Sequence, residues 1–200
     1  MTGTAAADTT KRSHRPSALL IIGILALIVA LLAGGAGLLV RSQPLRAGSS
    51  TLSPPGRQLA SSDPNDDRPT VLVQYVDGET VTFGFSIKNS GRWGVTIVGL
   101  EESTAGMLHQ YSYRLSDIGF TTDGGAFKSF ALAAHKEQAI KVTARLFNCE
   151  SYVVGGGAVL ESVVARFRIL GIQRTAEVPL GEKIEVMSPT NANCPRPRAA

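Results

Sequence analysis

An all-β fold, an antiparallel sandwich preceded by one transmembrane α-helix, is the architecture this sequence predicts, and three observations predict it. The run from Ser17 to Val40 is uncharged over 24 residues and follows Lys11, Arg12, Arg15 and Pro16. From Val71 to Val186 the apolar residues recur with a period of two, the signature of half-buried strands. Fourteen of the 21 Gly residues fall in that stretch, and nothing in it shows an amphipathic helical period.

The N-terminal tail, residues 1–16, is polar and Thr/Ala-rich, and it is predicted to be a disordered cytoplasmic segment. His14 in its basic run reads as solvated charge. Residues 17–40 reach about 36 Å as a helix, against a hydrocarbon core of about 30 Å. A cleaved signal peptide is the competing reading, because Ala33, Gly34, Gly35 and Ala36 are small. The apolar part of such a peptide is usually about 7–15 residues, and cutting there would leave a greasy new end from Gly37 to Val40. An uncleaved anchor is therefore expected. Ala26, Ala30 and Gly34 recur every four residues on one face of it, a small-residue spacing that permits close helix packing. Three cations before the run against Arg41 and Arg46 after it place the N-terminus inside.

Residues 41–69 carry Pro44, Pro54, Pro55, Pro64 and Pro69 among Ser and Gly, and they are predicted to be a linker that holds the domain clear of the headgroups. Asp63, Asn65, Asp66 and Asp67 in it lack the Gly and Glu of a calcium loop and read as solvated acid. The sandwich is expected over residues 70–194, with a short disordered tail at 195–200. Val71, Val73 and Tyr75 open it. Val81, Phe83, Phe85 and Ile87 then alternate with polar or small neighbours, the turn Asn89-Ser90-Gly91 follows, and Trp93, Val95 and Ile97 continue on the next strand. Residues 101–125 are less regular and contain the turn Asp123-Gly124-Gly125. Phe127–Leu132, Ile140–Leu146, Val163–Ile169, Ala176–Leu180 and Ile184–Val186 complete the strands.

The stretch VTFGFSIKNSGRWGVTIVGL, the later strand running into Cys149, and the final RTAEVPLGEKIEV before Cys194 resemble uncharacterised single-pass membrane proteins of actinobacteria with an extracytoplasmic immunoglobulin-like domain. The Asn-Ser-Gly turn between two strands is similar to that of adhesion-type and CARDB-like modules. The resemblance implies a fold and a location and carries no catalytic residue across. Antibody domains differ in having a cysteine pair around their tryptophan, which Trp93 lacks.

Net charge is +4, but Thr70 to Met187 holds eleven Lys and Arg against twelve Asp and Glu, so the excess lies outside the domain and nucleic acid is not an expected partner. The two cysteines, Cys149 and Cys194, are an even pair behind a membrane anchor, and a disulfide between them is expected to tie down the C-terminal segment. Free thiols or a metal site are the alternatives, though His109 and His135 are single and separated. No nucleophile elbow, P-loop, dinucleotide fingerprint or zinc spacing occurs, and Glu101-Glu102 point to opposite faces of a strand end. An enzyme, a cofactor and a metal are accordingly not expected. Tyr111 and Tyr113 in the irregular region and the Gly155-Gly156-Gly157 connection are the candidate binding loops. The expected function is a non-catalytic binding or adhesion-like module at the cell envelope, with a protein or glycan ligand. The competing reading is an assembly or regulatory subunit acting through its transmembrane helix.

Overall fold

The computed structural model describes residues 43–60, 65–101, 107–147 and 155–188, together with 22–23 and 25–27. The chain divides into two units, Met1–Ser42 and Gln43–Ala200. In the first, Ile22, Gly23 and residues 25–27 are helical, with Ile22, Leu25 and Leu27 exposed. Among the described residues no helix is long and apolar enough to cross a membrane. The rest of the expected span lies outside the described residues, as do the two tails.

The second unit is a two-sheet β-sandwich. Its strands are β1 Leu45–Leu52, β2 Arg57–Leu59, β3 Thr70–Gln74, β4 Thr80–Asn89, β5 Val95–Glu101, β6 Leu108–Ser116, β7 Asp123–Ala126, β8 Phe130–Leu132, β9 Glu137–Leu146, β10 Gly157–Ile169 and β11 Ile172–Met187. One sheet has the order β1-β4-β9-β6-β7 and the other β2-β3-β11-β10-β5-β8. The alternation read from the sequence is what fills the space between them. Phe83, Phe85 and Ile87 of β4, Ile140 and Val142 of β9, Phe167 of β10 and Val178 of β11 are each at most 2% exposed. At roughly 1.5–3 kcal/mol per fully buried side chain, such residues are the main favourable term holding the sheets together.

The structure corrects the expected plan in four places. The expected linker is part of the sandwich: β1 pairs with β4 from Leu45↔Asn89 to Leu52↔Gly84, and β2 pairs with β3. LRAGSSTL hides this because only its two end residues are large and apolar. It is held instead by hydrogen bonds, with the Ser50 amide donating to Ser86 Oγ at 2.9 Å and Ser86 Oγ to the Ser50 carbonyl at 3.1 Å. The second difference is that the sandwich is not wholly antiparallel. β3 runs parallel to β11, from Thr70↔Lys183 to Gln74↔Met187. Thirdly, Asp123-Gly124-Gly125 is not a turn but lies in β7. Gly124 allows this, since a Cβ there would collide with the Leu115 carbonyl of β6. Finally, β5 begins at Val95, leaving Trp93 in the preceding turn and 54% exposed.

Long β10 and β11 form a hairpin whose register slips between Leu160↔Ile184 and Ser162↔Pro179, so residues 180–183 bulge from β11. Pro179 sits at this irregularity, where a missing amide is tolerated. The bulge is closed from β3's side by Arg68, whose guanidinium donates to the Glu161 carbonyl at 3.1 Å and the Leu180 carbonyl at 3.3 Å.

Candidate functional site

Tyr111 and Tyr113, expected on a loop, are in strand β6. Tyr113 pairs with the fully buried Val142, which places it on the inner face, and Tyr111 lies within the register shift between His109 and Ser112, next to Gln110, whose φ is 50°. Their rings are stacked, with centroids 6.1 Å apart and planes 8° from parallel. Tyr113 meets Phe127 edge-on at 6.2 Å, and Phe127 meets Phe130 of β8 at 5.9 Å. This aromatic chain runs from one sheet to the other and closes the side of the sandwich bounded by β6 and β8. Each such contact adds about 0.5–1.5 kcal/mol beyond area burial.

Gly155 has φ 76°, a left-handed conformation that glycine adopts without cost, and Gly156 accepts a 2.9 Å hydrogen bond from the Ser188 amide. Gly157 starts β10 and pairs with Met187. Gly157 and the two tyrosines belong to different sheets. The glycine connection instead adjoins a cavity of about 470 Å³, because Met187 lines it. Buried Val73, Val81 and Leu146 form its floor, and exposed Arg57 and Glu79 stand on its rim. Backbone bonds fix the walls: Gly78 N to Leu146 O at 2.8 Å, Leu146 N to Glu79 O at 2.8 Å and Tyr75 N to Met187 O at 3.1 Å. The depression is half open to solvent, lined by apolar side chains with polar groups among them.

A second, polar cleft of about 320 Å³ lies beside the β11 bulge and includes Arg68, Glu161, Ser162 and Glu177. Asp66 binds Arg68 with both carboxylate oxygens, at 2.9 and 2.7 Å, and Lys183 Nζ approaches Asp66 at 3.0 Å. Hydrogen bonds from Arg68 and then Lys183 hold the Asp66 carboxyl well below the usual carboxylate range. Ser162 Oγ donates to Glu177 across the hairpin at 2.5 Å. The acid at Asp66, read from sequence as solvated, is thus a clamp on the bulge. Its partner Lys183 is 117 residues away in the chain, too far for any local pattern to signal.

No family model matches the sequence, and no curated protein matches it. Among solved structures, the chain is similar to the apo PmoF2 PCuAC domain at 8% identity and TM-score 0.29, covering 52% of this chain and 77% of that one. It is similar to a PapD-like domain of human CEP192 at 14% identity and TM-score 0.30, covering 58% and 80%. A family 123 glycoside hydrolase from Clostridium perfringens matches at 13% identity and TM-score 0.32, covering 58% of this chain and 23% of that one. These scores are too low to carry an argument about either fold or activity.

Two further features escaped the sequence. Asn89, fully buried, donates from Nδ2 to the carbonyls of Trp93, Leu132 and Ala133 at 2.8, 3.0 and 3.2 Å, and its Oδ1 accepts from the Gly91 amide at 3.0 Å. Glu182, 4% exposed, faces inward from the bulge; one carboxylate oxygen accepts from Ser53 Oγ at 2.7 Å and the other has no partner among the described residues. Burial pushes its carboxyl pKa up, against the Ser53 hydrogen bond. Of the other residues singled out in the sequence, Ala26 is in the helical part and exposed, while Ala30, Gly34, Cys149 and Cys194 lie outside the described residues.

Proposed function

We propose that this chain is a membrane-anchored, extracytoplasmic immunoglobulin-like module that binds a protein or glycan of the cell envelope without catalysis. The observation that carries the reading is the uncharged 24-residue run Ser17–Val40 set directly before a β-sandwich. The half-open cavity supports the binding half of it. Its position, at the end of the sandwich opposite Gln43, leaves it free to meet a ligand. Tyr111 and Tyr113 support the wall of the fold in this reading rather than contact the ligand. The proposed Cys149–Cys194 disulfide would anchor the segment that follows β11.

The test is recovery of a bound envelope component from native membranes with the full chain. Thr80→Trp, at the cavity mouth, is expected to lower that recovery while leaving the melting temperature nearly unchanged. Exchange of Ser17–Val40 for an unrelated span is expected to preserve it. Recovery that survives the tryptophan but is lost with the exchanged span would overturn the cavity and favour the accessory-subunit reading through Ala26, Ala30 and Gly34.

A further inference from the structure

The end of the sandwich at which the chain enters is built from four turns. The Ser90 amide donates to Pro44 O at 2.7 Å, joining the entry to the β4–β5 turn, and the His135 amide donates to Asn89 O at 2.8 Å, joining the β8–β9 turn. The β10–β11 hairpin tip falls at the same end, since Arg168↔Thr96 pairing puts Leu170 beside residue 94. The β6–β7 turn is there too, because Ser116 pairs with Ala139 near the start of β9.

This end carries exposed apolar side chains that the fold does not use. Trp93 is 54% exposed, Leu170 59% and Ile172 45%. The Asn89 hydrogen bond to the Trp93 carbonyl holds the tryptophan's turn in place rather than letting it fold inward. Exposed Arg46, Lys88 and Arg92 lie around them, and Arg46 and Lys88 face each other directly across β1 and β4. Like charges so paired repel, a repulsion that Glu137, opposite Lys88 on β9, offsets in part and that an anion above the pair would offset further. Among the described residues none of the three makes an ion pair within 4.0 Å. The acids at this end already have partners: Asp117 accepts from Thr121 and Thr122, and Glu137 accepts from the Ser49 amide and feels the Lys88 charge.

Only Arg41 and Ser42 separate Val40 from Gln43. Three residue steps reach at most about 10 Å, while the headgroup layer on one side of a bilayer is roughly 5–7 Å thick. With β1 starting at Leu45, the expected 29-residue linker is reduced to this short tether between the proposed span and the sandwich. We infer that the entry end of the sandwich is a lipid-docking surface: Trp93, Leu170 and Ile172 enter the interfacial layer, and Arg46, Lys88 and Arg92 take anionic headgroups. Tryptophan is the side chain that this layer favours, and basic residues beside it are drawn by anionic lipid. The inference rests on the anchoring proposed above.

Trp93 is the single tryptophan of the chain, so its fluorescence reports this surface alone. The full chain is reconstituted into vesicles of phosphatidylcholine and phosphatidylglycerol, with and without bromine near the headgroup end of the acyl chains, and extraction by alkaline carbonate is measured in parallel. Expected are resistance to extraction, a blue-shifted Trp93 emission and its quenching by the brominated lipid. The triple variant R46E/K88E/R92E is expected to stay embedded and lose most of that quenching, with an unchanged strand-type circular dichroism spectrum. An embedded chain whose Trp93 is unquenched overturns the docking surface and leaves the anchor standing. Release by carbonate overturns the anchor itself. Quenching unaltered in a folded triple variant overturns recognition of the anionic headgroups.

Discussion

At the residue scale, Asn89 and Glu182 show opposite uses of buried polarity. Asn89 satisfies three carbonyls and a backbone amide with one side chain, locking the turns of the entry end to each other. Asn89→Ala would remove the side-chain partner of the buried Leu132 carbonyl and of the Gly91 amide, while the Ala133 carbonyl keeps the Lys136 amide, and it is expected to cost about 1–3 kcal/mol in denaturant unfolding, the cost of a single unsatisfied buried group. Glu182 lacks such a set. Its folded-state pKa is raised by burial, so the folded chain holds a proton more tightly than the unfolded one. That favours folding fully below the ordinary glutamate value of about 4.3, and the benefit is lost as pH rises through the raised value. Glu182→Gln keeps an acceptor for Ser53 Oγ without the charge. Thermal melts are expected to show it more stable than the parent at pH 7 and nearly equal at pH 4. A variant less stable than the parent at pH 7 would mean that the carboxylate has a charged partner.

At the element scale, the strands that could be read were those whose stability is apolar. In β4, β9, β10 and the two halves of β11, alternate residues enter the core, and the alternation is visible in sequence. β1 could not be read because its cohesion is polar: Ser50 and Ser86 exchange hydrogen bonds and Glu137 takes the Ser49 amide. β7 was read as a turn because glycine serves turns and close strand approach equally. The alternation puts Trp93 on the next strand with Val95 and Ile97, yet the Asn89 hydrogen bond to its carbonyl holds it in the turn before β5, which a period-two pattern cannot reveal. The cavity was equally illegible, since its walls come from five strands and two connections brought together at one end. A truncation separates the two views of β1. A chain beginning at Gln43 is expected to be soluble with a strand-type circular dichroism spectrum, whereas one beginning at Thr70 loses β1 and β2, bares the edge of β4 and aggregates. Equal solubility and equal melting temperatures of the two would return residues 43–69 to the role of a linker.

At the scale of the whole molecule, the account assigns the two ends of the sandwich to different surroundings. In the proposed reading the entry end, with Trp93 and the basic side chains, would meet lipid, and the end with Gly155–Gly157 and the cavity would meet the envelope. Both assignments depend on the span crossing the membrane with its basic flank of Lys11, Arg12 and Arg15 inside. The most direct measurement is therefore topology in intact cells, with paired reporters fused after Ala200. The account predicts that a reporter active only outside the cytoplasm is active there and that one active only in the cytoplasm is silent; the reverse pattern would contradict it.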